Sequence, residues 1–328
     1  MYTCQTLSVA SGDHVTIADL GEFGLIAALA AGLPRGERTV VGIGDDAAVL
    51  TTPDGRVVAT TDLLLEGLHF RRDWSVPADI GGKAAAQNFA DVAAMGAVPV
   101  ALLVGFGAPG DLPLAWAREL VAGIADECSQ VGATVVGGDT SRADKVVLAV
   151  TALGDLAGRD PVTRAGARPG DVLAIAGVLG DSAAGLALLQ AGHTAPAALI
   201  AAHQRPRPPY AAGPEAARLG ATSMIDVSDG LLADLGHIAA ASGVLIDVAT
   251  VLLPISDDLA AAAAALGIAG PLEWVLTGGE DHALAATFPP GISLPPGWTV
   301  AGHIHAGRGV RVNGRPFTGP AGWNHFSR

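Results

Sequence analysis

The chain has 328 residues, with 19 Lys and Arg against 32 Asp and Glu, giving a formal net charge of −13. At roughly 150 residues per domain this length implies two domains, and a hydrophobic content of 50% excludes a solvated coil. Such acidity argues against a general nucleic-acid binder and against a ligand of anionic membranes.

Two cysteines, Cys4 and Cys128, form no CxxC pair and no Cys/His cluster, which suits a reducing cytoplasm and excludes a zinc or iron–sulfur framework. No Lys or Arg precedes Arg35, so a signal peptide is not expected. Residues 22–31 are predicted as a helix stopped by Gly32 and Pro34. Short β-branched runs predict strands at 39–43, 57–61, 98–106, 134–136 and 146–153, with helices at 80–95 and 113–131. The stretch 154–171 is dense in Gly, Pro and charge and is taken as the junction, giving domains 1–158 and 159–328.

The second half is predicted to run strand 172–176, helix 182–190, a loop region around RPRPP at 205–209, strand 223–225, helix 230–241 and strand 244–248. The apolar stretch 259–272 is shorter than the ~20 residues a bilayer span needs and is expected to form buried elements. Alternating strands and helices of this kind predict an α/β chain with mixed layers in each half.

The acids fall after apolar runs. Asp45 and Asp46 end VVGIGDD, Asp62 ends VVATTD, and Asp139 ends TVVGGD. Asp226 and Asp229 lie in SMIDVSD, Glu280 and Asp281 end EWVLTGGED, and Asp91 shares a helix face with Gln87. One such acid is commonly a turn or capping residue. Five runs ending this way point to a shared cation site, because strand ends are where ligand sites gather in α/β layers. Carboxylates without His or Cys suit a hard cation, so Mg²⁺ is expected, and with it a phosphate ligand.

Familiar nucleotide motifs are missing. No P-loop is present, and the GFGAPG at 105–110 matches GxGxxG with Pro109 and Pro113 badly placed for a phosphate cradle. The protein-kinase set VAIK, HRD and DFG is absent. His303 and His305 alternate as surface residues of a strand, Lys83 reads as a solvated helix residue, and His237 as a packing residue of its helix. Gly180–Gly185 reads as a tight turn into a helix capped by Asp181 or Ser182, with an anion-binding role equally open.

Nine segments carry a resemblance. They are GIGDDAAVL (42–50), TTDLLLEGLHF (60–70), KAAAQNFADVAAMGA (83–97), GGDTSR (137–142) and TRAGARPGD (163–171), then GDSAAGLALL (180–189), IDVSDGLLADLGHI (225–238), LTGGEDHAL (276–284) and GWNHF (322–326). In this order they resemble the thiamine-monophosphate kinases of the aminoimidazole ribonucleotide synthetase and selenophosphate synthetase superfamily. The resemblance implies a two-domain α/β fold of that superfamily and a homodimer paired through its N-terminal sheets. It also implies ATP as co-substrate, several Mg²⁺ ions, and phosphoryl transfer to thiamine monophosphate.

Carried onto this chain, the magnesium ligands would be Asp46, Thr60, Thr61, Asp62, Asp91, Asp139, Asp226 and Asp229. Contacts to ATP would fall on Gly138, Asp139, Arg164 and Ser228, and contacts to the acceptor on His69, Glu280 and Trp323. Glu280 and the Trp323 face are natural partners for a cationic thiazolium ring. Many relatives read GGEDYE where this chain has GGEDHA, so His282 and Ala283 replace a Tyr and an acid. Two alternatives are a sister enzyme acting on another acceptor and a non-catalytic, nucleotide-binding maturation protein. The full acid set counts against the second, and Cys4 lacks the glycine-rich setting that selenophosphate synthesis would want.

Overall fold

The computed structural model describes residues 15–43 and 47–323. Its first half runs α1 (Ile17–Ala30), β1 (Thr39–Val41), β2 (Val49–Leu50), β3 (Val58–Leu65), α2 (Pro77–Ala94), β4 (Val98–Ala108), α3 (Leu114–Val131), β5 (Thr134–Arg142) and β6 (Val147–Asp155). The second half continues with β7 (Val172–Ala176), α4 (Asp181–Gln190), α5 (Ala197–Gln204), α6 (Ala212–Leu219), β8 (Ser223–Val227), α7 (Leu231–Ser242) and β9 (Leu245–Val248). It ends with α8 (Asp257–Ala265), α9 (Leu272–Thr277), β10 (Ala283–Phe288), β11 (Trp298–His305), β12 (Gly309–Val312) and β13 (Arg315–Pro316). No helix among the described residues is long and apolar enough to cross a membrane.

Several boundaries differ from the sequence expectation, each for a local reason. The first helix starts at Ile17 because Thr16 and Asp19 form a capping box, and Gly21, at φ +63°, kinks it. β3 continues to Leu65 along an unbroken ladder with β6, and β5 to Arg142 beside β4, whose pairing resumes after a shift at Leu102/Leu103. Asp62 and Asp139 therefore stand inside strands instead of at strand ends. GFGA closes β4, so its glycines belong to the ladder. The apolar run before Gly278 is the helix α9, not a strand; three consecutive apolar residues, Trp274, Val275 and Leu276, carry too little periodicity to decide. Two helices, α5 and α6, flank the RPRPP loop where only loop was expected. In 259–272 just one face is buried: Leu259, Ala262 and Ala263 are inside while Ile268 is exposed.

A four-stranded sheet, ordered β3-β6-β4-β5, occupies the first half and a seven-stranded sheet, ordered β13-β12-β9-β11-β7-β10-β8, the second. In β7, Leu173 and Ile175 enter one apolar core while Ala174 and Ala176 enter another, as period-two alternation requires. The first sheet buries Leu64, Leu102, Phe106, Leu148 and Val150 under α2 and α3. Its other face is open: Leu63 is 56% exposed there.

The helix α2 joins the halves. Its Ala84, Ala85, Phe89 and Val92 belong to the first core, and Ala93 and Ala94 to the core under the second sheet. Small residues make this possible. A Cβ on Gly81 would run into the Leu120 carbonyl of α3, and one on Gly213 of α6 into the Ala93 carbonyl. Either substitution would force the backbones apart. One side of α2 thus faces β3 and its end faces β8, which brings their acids together.

Candidate active site

The site begins with β3 and α2. Strand alternation turns Thr60 and Asp62 toward α2, where Asp91 and Gln87 project one helical turn apart. Thr60 Oγ1 donates to Asp91 Oδ2 at 2.6 Å, Gln87 bonds Asp62, and Asn88 Oδ1 accepts from the Asp62 N–H at 3.1 Å. Thr61 points the other way, its hydroxyl donating to Val150 O and accepting from Thr151. Any ligand that Thr61 gives to this cluster is consequently a backbone oxygen.

The second sheet adds Asp226 at the end of β8. Burial lifts Asp62 above the ordinary carboxylate range, and Asp226 adds repulsion. Burial and repulsion from Asp226 push Asp91 up to about 7. Oxygen donors buried together and opposing one another's charge are what a hard divalent cation relieves, so the residues fit Mg²⁺. As they stand, no three His, Cys, Asp or Glu side chains among the described residues converge closely enough to hold a metal. Among the described residues, the counter-charge facing Asp62 and Asp91 is His282. Its Nδ1 lies 3.1 Å from Asp226 Oδ2, and although burial opposes the imidazolium, Asp226 raises its pKa.

Two loops carry the rest. The β8–α7 loop holds Ser228 and Asp229, pinned by Asp234 Oδ2, which accepts from the N–H groups of Asp229 and Gly230 at 3.1 Å. Burial, with Asp226 nearby, pushes Asp234 up to about 7. The α9–β10 loop lies against it: the Glu280 N–H donates to Ser228 O at 2.8 Å and that of His282 to Val227 O at 2.9 Å. Glu280 and His282 both take positive φ, +64° and +54°, a conformation that L side chains adopt only when the surroundings impose it. Asp281 between them is buried and caps α4 from a distance, accepting from Gly180 N–H at 2.5 Å and Ser182 N–H at 2.8 Å. The cap is therefore neither Asp181 nor Ser182.

On the acceptor side, the Trp323 N–H donates to Asp229 O at 2.8 Å, which seats the tail beside Ser228 and Glu280. His69 lies in the loop after β3, its Nδ1 accepting from Leu65 N–H at 3.0 Å. Lys83 corrects the sequence expectation outright. It is 1% exposed, and its Nζ donates to His69 O, His203 O and Glu280 Oε2. His237 is corrected too, being exposed because it lies off the Leu231–Leu235–Ile238 stripe. His303 and His305 are exposed, as expected.

One chain thus gathers Thr60, Asp62, Asp91, Asp226, Ser228, Asp229, Glu280, His69 and Trp323. Three expected residues stay away. The registers Asp62–Val150, Val150–Val104 and Val104–Gly138 set Gly138 in the same row as Asp62 but three strands distant, roughly 14 Å at ordinary strand spacing. Asp139 follows it at that far edge, where it borders an apolar cavity of about 110 Å³ between α1, α3 and β5. Arg164 sits near the start of β8, where its carbonyl accepts from Ser242, while Ser228 lies beyond the end of that strand. Asp46 lies outside the described residues. Asp281, read with the cation-site acids, instead caps α4. The contributions of Lys83, His203 and His282 come from partners remote in sequence, and only the GGEDHA departure marks one of them.

Comparison with known proteins gives the family and the fold. Residues 44–156 match the family model of the AIR synthase related protein, N-terminal domain. A thiamine-monophosphate kinase of Mycobacterium tuberculosis is 51% identical over 247 residues, 75% of this chain and 74% of that protein. The crystal structure of thiamine-monophosphate kinase from Stenotrophomonas maltophilia K279a superposes with a TM-score of 0.77 at 34% identity, covering 89% of this chain and 95% of the other. The structure of AaThiL complexed with AMPPCP and TMP gives a TM-score of 0.78 at 35% identity, covering 95% and 99%.

Proposed function

Because this chain belongs to the thiamine-monophosphate kinase family, we propose that it transfers the γ-phosphoryl group of ATP to the phosphate of thiamine monophosphate, forming ADP and thiamine diphosphate. The observation that carries this is the junction of two unlike groups in one chain. Thr60, Asp62, Asp91, Asp226 and Asp229 supply hard oxygen donors, and His69, Glu280 and Trp323 line the neighbouring ground.

In this reading an acceptor phosphate oxygen attacks the γ-phosphorus, and the bond to the β-phosphate oxygen breaks in line. The nucleophile is already largely anionic at neutral pH, since the second phosphate pKa is near 6, so no dedicated base is needed. Mg²⁺ ions held by Asp46, Thr60, Thr61, Asp62, Asp91, Asp139, Asp226 and Asp229 would cancel charge between the two anions. Ser228 and Asp229, fixed by Asp234, orient the nucleotide side. Residues 1–158 serve as the nucleotide, metal and pairing half in this scheme, and residues 159–328 as the second α/β half.

A homodimer follows from the same reasoning. The open face of the first sheet carries Leu63 in solvent, and Gly138 and Asp139 occupy the edge opposite Asp62. A second copy pairing sheet to sheet would bring its own Gly138 and Asp139 to the Asp62 edge. The direct test is product analysis with thiamine monophosphate and ATP, with and without Mg²⁺. Thiamine diphosphate should form only with the metal. Formation from neither mixture, or full turnover in excess chelator, would overturn the proposal, as would turnover of aminoimidazole precursors or selenide instead.

A further inference from the structure

Lys83 lies at the centre of the molecule, in the helix that both halves share. A buried ammonium is unfavourable unless its charge and its three donors are all met. Here they are met, by His69 O at 3.2 Å, His203 O at 3.0 Å and Glu280 Oε2 at 3.1 Å. The acceptors come from the loop after β3, the end of α5 and the loop before β10. One side chain therefore ties together His69 and Glu280, two of the three residues assigned to the acceptor.

That pairing limits what Glu280 can do. Its carboxylate is already balanced by a buried ammonium 3.1 Å away, so little charge is left over for a cationic ring. Burial favours the neutral acid, yet Lys83 above all holds Glu280 below the ordinary carboxylate range. Burial and the same Lys83 push His203 down to about 4, so it adds no positive charge at neutral pH. Its Nδ1 lies 3.5 Å from Glu280 Oε2 and 3.3 Å from Ser182 Oγ. Every Glu280 carboxylate contact among the described residues falls on Oε2, while the side chain keeps 30% exposure. Oε1 is the oxygen left to meet a ligand.

We propose that Lys83 is a positioning residue that pins Oε2 of Glu280 and cancels its charge, so that Glu280 recognises an uncharged N–H donor of the acceptor through Oε1. This rests on the acceptor assignment above. Thiamine monophosphate carries one such N–H group, the exocyclic amine of its pyrimidine. Attraction for the thiazolium cation then falls to the aromatic face of Trp323.

The test compares thiamine monophosphate with its analogue lacking that amine, in the whole enzyme with saturating ATP and Mg²⁺. The wild type should lose about 10-fold in acceptor KM when the amine is removed, the scale of a hydrogen bond to a charged group. Glu280→Gln leaves the Lys83 ammonium unbalanced beside a cationic substrate and should raise acceptor KM about 10-fold. Adding Lys83→Met should bring it back to within about threefold of wild type, because the amide oxygen still accepts. The KM for ATP should not move in any of these. A double variant as weak as Glu280→Gln would make Glu280 a counter-ion and overturn the proposal, as would a wild type indifferent to the amine.

Should the double variant not fold, Glu280→Ala decides: its indifference to the amine supports the proposal, and retention of the full amine effect sinks it. If the wild type turns over neither compound, the acceptor assignment falls and amine recognition with it. The pinning is then judged alone, and it stands only if Lys83→Met/Glu280→Gln melts above both single variants.

Discussion

Trp323 shows how a single residue's surroundings decide its role. A ring that merely plugged the tail into the core would be buried, whereas Trp323 is 58% exposed and is held through its own N–H on Asp229. A cation–π contact of ~0.5–2 kcal/mol predicts that Trp323→Ala raises the acceptor KM by roughly 2- to 30-fold. The melting temperature and the ATP affinity should stay near wild type, and Trp323→Phe should recover most of the loss. Calorimetric titration of both substrates with these variants checks it; equal losses for both would return Trp323 to a structural role. Asp62 and Asp226 stand out in the sequence as candidates because hard-cation chemistry and motif order both mark them, and Glu280 because of its motif. Lys83 was not. Nothing local distinguishes it from a surface lysine, since its three acceptors lie 14, 120 and 197 residues away.

The elements show the same division between local and distant signals. The strands at 98–106 and 172–176 and the helices at 80–95, 113–131 and 182–190 were readable because their periodicity and end signals are local. α9 and the true cap of α4 were not, because a short apolar run is ambiguous and the cap comes from Asp281, about a hundred residues downstream. Asp281→Ala strips two buried N–H groups of their acceptor and should cost about 2 kcal/mol, with Asp281→Asn recovering part of it. Denaturant titration gives the value, and a loss near zero would mean that water replaces the cap. His203, at the end of α5, supplies a pH test. Burial and Lys83 lower its pKa from 6.5 to about 4. Between those values the unfolded chain binds a proton that the folded chain refuses, so stability rises with pH through the window and falls as acid is added. The wild type should therefore lose more melting temperature from pH 7 to pH 5 than His203→Gln does. Identical losses would show that His203 charges in place.

For the whole molecule, the decisive fact is a row of registered residues. Asp62, Val150, Val104 and Gly138 lie side by side across the full width of the four-stranded sheet. Ligands of one Mg²⁺ must approach within a few ångströms, since its oxygens sit at about 2.1 Å. Within one chain, Asp139 is therefore too distant to share a cation with Asp62, whatever its side-chain rotamer. A sheet-paired homodimer removes the difficulty by supplying Asp139 from the second copy, and this leads to an outcome that only shared sites produce. Asp62→Asn and Asp139→Asn homodimers should each be nearly inactive. When the two variants are mixed and reassembled, half of the dimers are hybrids, and each hybrid has one site with both acids intact. Activity should return to about a quarter of wild type, the value set by two-fold symmetry and random pairing. Gel filtration verifies the dimer, and differently tagged chains verify the hybrid. If hybrids form and stay inactive, both acids belong to one chain's site, and the sheet must open or rearrange to bring them together.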